Sequence, residues 1–356
     1  MSASYRSLLC LILPALGCPL PDDSAGTDSS DTDTTPATVS ETGCYDVGSA
    51  ATACPDPADV DRAGVLPATC GAEVISVDGA GSLEDGCAYI GGVKASQWCL
   101  YPITVIPPEQ PCDYGRPLIL AGAPRLAPLT RGAGWVTPPR PGGVDPARAE
   151  RWARVALAEH ASVASFARFA LELLAFGAPA ELVAGAHAAA LDEVRHARLA
   201  FGLVGRHAGV SVGPGPLPLT DFTFSADLAA FAAATAAEGC VAETLSALQV
   251  AEARDRSTDP AEREVLAVLA RDEARHAALA WQTLRWATEQ GGDPVRRAVA
   301  AVFAAPPPLP TANDDGLLPS DVARRVILRG WAEVIAPAAA AWASTSASVR
   351  EEPRWA

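Results

Sequence analysis

Two stretches of this chain carry ligand-type side chains at one spacing. Asp192 to Phe201 reads DEVRHARLAF, and eighty residues on, Asp272 to Trp281 reads DEARHAALAW. Each contains a Glu-x-x-His step, Glu193 with His196 and Glu273 with His276. On an α-helix that spacing puts a carboxylate and an imidazole on one face, a turn apart, so both reach the same point in a core. A single such step on an Ala-rich helix is usually an exposed pair. Two copies supply half of a dinuclear metal site.

The other half calls for carboxylates opposite them. Glu159 lies in the middle of an apolar stripe made by Trp152, Val155, Ala156, Val163, Phe166, Ala170 and Leu173. Glu238 lies one heptad from both Phe231 and Leu245. A carboxylate buried alone costs on the order of several kcal/mol, so each needs a proton, a cationic partner or a metal. The segments around Glu159 and Glu238 align as a repeat, as the two decapeptides do, and the repeating unit is a helix pair.

Four helices must position these residues. The patterning predicts them over 146–176, 179–207, 225–255 and 260–290, with Gly177-Ala178-Pro179 and Ser257-Thr258-Asp259-Pro260 as short turns and a Gly/Pro-rich crossover from Gly209 to Thr223. At ~1.5 Å per residue, Glu159 and Glu193 stand about 25 and 22 Å from their shared turn, nearly level. Glu238 and Glu273 agree less well, at roughly 26 and 20 Å. Glu243 matches Glu273 better in height, but on a regular helix it lies about 140° round from Glu238 and off the stripe. Glu238 is therefore the expected ligand, with Glu243 an additional or switching carboxylate. Asp192 and Asp272 can hydrogen-bond a ligand histidine, within the helix or across the site, with Arg195 and Arg275 as their partners. Cys240 reads as a small buried residue rather than a ligand.

The rest of the 356 residues bound the setting. A formal charge of −15, with Lys94 the only lysine, argues against a nucleic-acid partner. Residues 1–17 read as a signal peptide: Arg6, an apolar run from Leu8 to Leu16, then Ala15-Leu16-Gly17-Cys18. That ending resembles a bacterial lipobox, which makes Cys18 a lipidation site; ordinary signal cleavage leaves Cys18 unmodified. Residues 18–43 are an acidic, disordered tether. Cys44, Cys54, Cys70, Cys87, Cys99 and Cys112 then define a disulfide-rich, β-rich module over 44–113, with the pairing open. A Pro/Gly-rich linker covers 114–145, and accessory helices with a tail cover 291–356.

One glutamate on each of two helices, with Glu-x-x-His on each of two others, resembles the ferritin-like di-iron carboxylate superfamily. The resemblance spans the four helices alone. It implies a mainly α fold, a ferritin-like four-helix bundle with a long crossover. It also implies two iron ions, or manganese, held by Glu159, Glu193, His196, Glu238, Glu273 and His276, with Glu193 and Glu273 bridging. Carboxylate and imidazole donors suit iron or manganese better than zinc. The expected function is an exported, membrane-anchored lipoprotein of the bacterial cell envelope acting as an O2- or peroxide-dependent oxidoreductase, with an external electron donor if it is an oxygenase. No tyrosine follows Tyr114, which disfavours a tyrosyl-radical generator. The alternatives are an iron-binding, storage or peroxide-scavenging protein, and a metal-free envelope scaffold.

Overall fold

The computed structural model describes residues 8, 12–13, 39–48, 52–60, 66–67, 73–84, 97–106, 116–120, 123–132, 134–135, 143–220, 222–307, 309–310 and 316–348. Cys18, Cys70, Cys87 and Cys112 lie outside them. The described chain is mainly helical, with a small antiparallel sheet before the helices.

That sheet is built on two ten-residue strands, β1 (Val39–Gly48) and β5 (Gln97–Ile106), with β2 (Leu66–Pro67) on the outer edge of β1 and β3 (Glu73–Val77) and β4 (Ser82–Glu84) along β5. The β-rich expectation holds, but β1 begins at Val39, so the ordered module starts inside the stretch read as a tether. Cys54 and Cys99 form a disulfide with a Cα–Cα separation of 5.6 Å. A disulfide of this kind belongs to an oxidising compartment.

The linker is more than a spacer. Short strands β6 (Ile119–Leu120) and β7 (Ala123–Pro124) fold it back on itself. Next, β8 (Leu129–Arg131) pairs with β9 (Val212–Pro214) of the crossover, pinning the long connection. Leu118, Leu120 and Ala127 are buried.

Helix α1 (Pro146–Ala175) starts at Asp145, whose side chain accepts from the Arg148 amide, with Pro146 in the first turn. It ends before Gly177, whose φ of 73° makes the left-handed turn that a side chain would strain. Helix α2 (Ala180–Ala208) packs back along α1 and stops at Gly209, also left-handed. The third helical stretch consists of α3 (Leu228–Ala234), a π-helical segment (Thr235–Glu243) and α4 (Thr244–Arg256). Helix α5 (Pro260–Val302) is capped by Asp259 and kinks at Gly292, where a short helix beginning near Pro294 continues it. Beyond it, α6 (Ser320–Gly330) leads through a π-helical segment (Trp331–Ile335) into α7 (Ala336–Ser348). The wider turn precedes Pro337. It accommodates a residue that lacks the amide donor and crowds the preceding turn.

One continuous core joins these helices, including Trp152, Phe169, Phe201, Phe231 and Trp281. Leu8, Ile12 and Leu13, from the segment read as a signal peptide, are helical and buried in that same core. Two stretches, Leu228–Arg256 and Ser320–Ser344, are long and apolar enough to cross a membrane by composition, and both contribute to the core.

Glu262 ties three helices at one end. Its Oε1 accepts from Trp152 Nε1 of α1 at 3.1 Å and faces His207 Nε2 of α2 at 3.1 Å, while its Oε2 accepts from Ser257 Oγ at 3.0 Å. Glu262→Ala orphans the indole and the imidazole together. It is expected to cost on the order of 3 kcal/mol in urea unfolding of the metal-free protein; a loss below about 1 kcal/mol would remove this tie from the account.

Candidate metal centre

Halfway along α1, on its buried face, stands Glu159; Glu193 and His196 come from the middle of α2 and Glu273 and His276 from the middle of α5. Glu243 comes from the last residue of the π-helical segment. All six are at most 3% exposed. Glu159, Glu193, His196 and Glu273 each present a ligand atom within 4.8 Å of the others, and so do Glu243, Glu273 and His276. Glu273 belongs to both groups.

Glu193 also faces both sides. One of its oxygens lies 3.7 Å from His196 Nδ1 and the other 3.1 Å from His276 Nδ1. Glu273 repeats this, at 3.6 Å from His196 Nδ1 and 3.8 Å from His276 Nδ1. Glu159 Oε2 stands 3.5 Å from His196 Nδ1. Each histidine thus turns Nδ1 inward, and two carboxylates span the gap between the imidazoles.

The other ring nitrogen of each histidine is held from across the site. His196 Nε2 lies 3.2 Å from Asp272 Oδ2, and His276 Nε2 lies 3.4 Å from Asp192 Oδ2. Of the two placements open in the sequence, the cross-site one is found. Arg275 donates to both aspartates, at 2.8 and 2.9 Å, and Arg271 donates to Asp272 at 2.8 Å. Arg195 stands 3.8 Å from Asp272. An aspartate that accepts from Nε2–H leaves the Nδ1 lone pair free to bind a cation.

Glu238 is not at this centre, contrary to its expected role as the third helix's ligand; Glu243 takes that place. Glu238 is instead paired with two arginines. Arg168 Nη2 donates to its two oxygens at 2.8 and 2.7 Å, and Arg116 Nε donates at 3.1 Å. The physical reason is the π-helical segment between them. On a regular α-helix Glu243 falls off the apolar stripe, whereas i→i+5 turns rotate less per residue and bring it round to the interior. The height comparison, which does not depend on that angle, marked Glu243.

Arg116 and Arg168 were not singled out in the sequence. Arg116 lies in the Pro/Gly-rich linker, where nothing marks it as buried, yet it packs 4.4 Å from the Phe169 ring centroid and 5.3 Å from that of Phe166. Phe166 in turn meets His276 edge-on at 5.0 Å. Arg168 gave a weak signal, since a charged residue between Phe166 and Phe169 needs an acidic partner. Cys240 is buried and free, and its thiol is pushed well up by burial.

Burial and the neighbouring Glu193 raise Glu159 well above the carboxylate range, and burial with Glu273 does the same to Glu243. For His196, burial opposes the charge, but Asp272, Glu159 and Glu193 outweigh it and raise the imidazole well above its ordinary value. His276 behaves alike, through Asp192, Glu193 and Glu273. Burial would raise Glu193, but the two histidines hold it below its usual range. Without a cation, these surroundings favour the protonated forms of Glu159, Glu243 and both histidines.

Protons alone do not satisfy the site. Glu159 Oε2, both oxygens of Glu193, Glu243 and Glu273, and Nδ1 of His196 and His276 are buried without a hydrogen bond. These orphaned donors converge, and buried polar groups are otherwise almost always paired. The set fits a metal ion shared between its two halves. A third acidic and histidine group, His207, Asp259 and Glu262, does not fit one. Arg206 and Arg148 already neutralise it, at 3.0 Å to Asp259 and 3.4 Å to Glu262.

Comparison with protein-family models, with curated proteins and with solved structures gave no match.

Two outcomes follow from this geometry. Because the raised carboxyls and imidazoles favour protonated forms that a metal must displace, binding is expected to release protons and to weaken as pH falls, by roughly tenfold per pH unit for each proton displaced. Calorimetry of Mn(II) binding in buffers of different ionisation heat, repeated between pH 6 and 8, measures both effects; pH-independent binding would contradict the assignment. Asp272→Asn makes the partner of His196 Nε2 neutral and is expected to weaken metal affinity about 10- to 100-fold. The same titration reads that loss.

Proposed function

We propose that this chain is an exported, lipid-anchored di-iron carboxylate protein of the ferritin-like type, an oxidoreductase that uses O2 or peroxide. The observation that carries the reading is the convergence of orphaned carboxylate and imidazole atoms, with Glu193 and Glu273 each facing both histidines. The short-turn, long-crossover, short-turn order of the helical stretches suits a ferritin-like four-helix bundle.

In this reading Glu193 and Glu273, which each face both histidines, would hold the ions together with Glu159 and His196 on one side and Glu243 and His276 on the other. Ferrous ions bound there supply redox equivalents and Lewis acidity. The chain's own part is to orient and to exclude water. Asp272 and Asp192 hold the histidine tautomers from opposite sides, and Arg275 fixes both aspartates. Phe166 closes one wall against His276, within a core that keeps the site dry. The donor set, all oxygen and nitrogen, favours iron or manganese.

Anaerobic titration with Fe(II), followed by exposure to O2 or peroxide, tests the proposal. Two irons per chain with a transient visible absorbance on exposure support it. No bound iron, or binding unchanged in Glu193→Ala/Glu273→Ala, would sink it, and many irons per chain would mean storage instead. For the anchor, Cys18→Ser is expected to move the protein from the membrane to the soluble fraction, and unchanged membrane association would overturn that part.

A further inference from the structure

Glu238 and Glu243 stand five residues apart in the π-helical segment; Glu243 is buried and reaches the cluster, while Glu238 is partly exposed and does not. A continuous α-helix would set them about 140° apart and leave Glu238 on the face of Phe231, seven residues earlier. The wider turns reverse this. Two carboxylates thus compete for one position, and the hydrogen-bond register of Thr235–Glu243 decides which one occupies it.

The alternative carboxylate is held away by a fixed set of contacts. Arg168 grips both Glu238 oxygens with one nitrogen and donates with another to the Ile119 carbonyl at 3.1 Å. Arg116, from the same linker, completes the pairing while seated on the rings of Phe166 and Phe169. The adjacent residue, Gly239, lets the segment press against α5, because a Cβ there would collide with Ala280. Linker, α1 and α5 therefore all constrain the segment beside Glu238.

We propose that Arg116 and Arg168 are positioning residues: by holding Glu238 outward they fix the π-helical register and so present Glu243 as a metal ligand. This rests on the dinuclear reading above. It assigns a role in the centre to a linker segment that contributes no ligand.

The test compares wild type with Arg116→Met/Arg168→Met/Glu238→Gln, which removes all three charges and keeps their bulk; Glu172, which loses its Arg168 partner, keeps the hydrogen bond from the Ser225 amide. Mn(II) is titrated calorimetrically, and hydrogen exchange of residues 235–243 is followed in the metal-free proteins. The variant is expected to keep the first ion at wild-type affinity and to bind the second about tenfold more weakly or worse. Faster exchange across 235–243 should accompany that loss. Two ions bound at wild-type affinity by the variant would overturn the inference alone; no ion bound by wild type would overturn the dinuclear reading and this inference with it. Should the triple variant fail to fold, Arg116→Met takes its place with the same deciding outcomes.

Discussion

Burying several carboxylates in one dry interior is the constraint on which this structure depends. Each one costs free energy unless a proton, a guanidinium or a metal meets it. The helical interior uses different partners in adjacent places. Glu238 and Glu172 are met by arginines, with Arg168 serving both. Glu159, Glu193, Glu243 and Glu273 have no arginine within ion-pairing reach among the described residues, and they gather around two imidazoles.

That division assigns work to elements that carry no ligands. The linker brings Arg116 to the helices and, through β8, ties down the crossover. The decapeptides supply Asp192, Asp272 and Arg275 from the turn that supplies the histidines, so orientation and ligation come from the same few residues. Aromatic side chains fill the remaining space: Phe166 connects Arg116 to His276, and Trp281 stacks on Phe303 below the second decapeptide. The centre is thus held by packing on one side and by an Asp–Arg–Asp tie on the other.

Much of this was legible in the sequence because its signals are local. Asp145-Pro146, Gly177, Gly209 and Asp259-Pro260 mark helix ends through caps and turns, and they lie within a few residues of the observed bounds. The two Glu-x-x-His steps and Glu159 were legible because regular helical spacing carries them. The height of Glu243 was legible, but its face was not, because an irregular stretch of helix carries it. No composition rule marks where i→i+4 gives way to i→i+5, and that change brings Glu243 rather than Glu238 to the buried cluster. Arg116 was hidden for a different reason, since its burial depends on tertiary contacts with Phe166, Phe169 and Glu238, far away along the chain.

The crossed aspartate–histidine bonds have a consequence of their own. Asp192 reaches His276 and Asp272 reaches His196, the reciprocal exchange that a two-fold axis imposes on a symmetric dimer. Two similar helix pairs in one chain thus form what two identical chains would form by association, and neither half orients its own histidine. The symmetry fails on the side of Glu159 and Glu243, where one half is regular helix and the other π-helical. Within one chain the two halves can differ, and here they differ in the element that carries the outer carboxylate, regular helix for Glu159 and π-helical turns for Glu243.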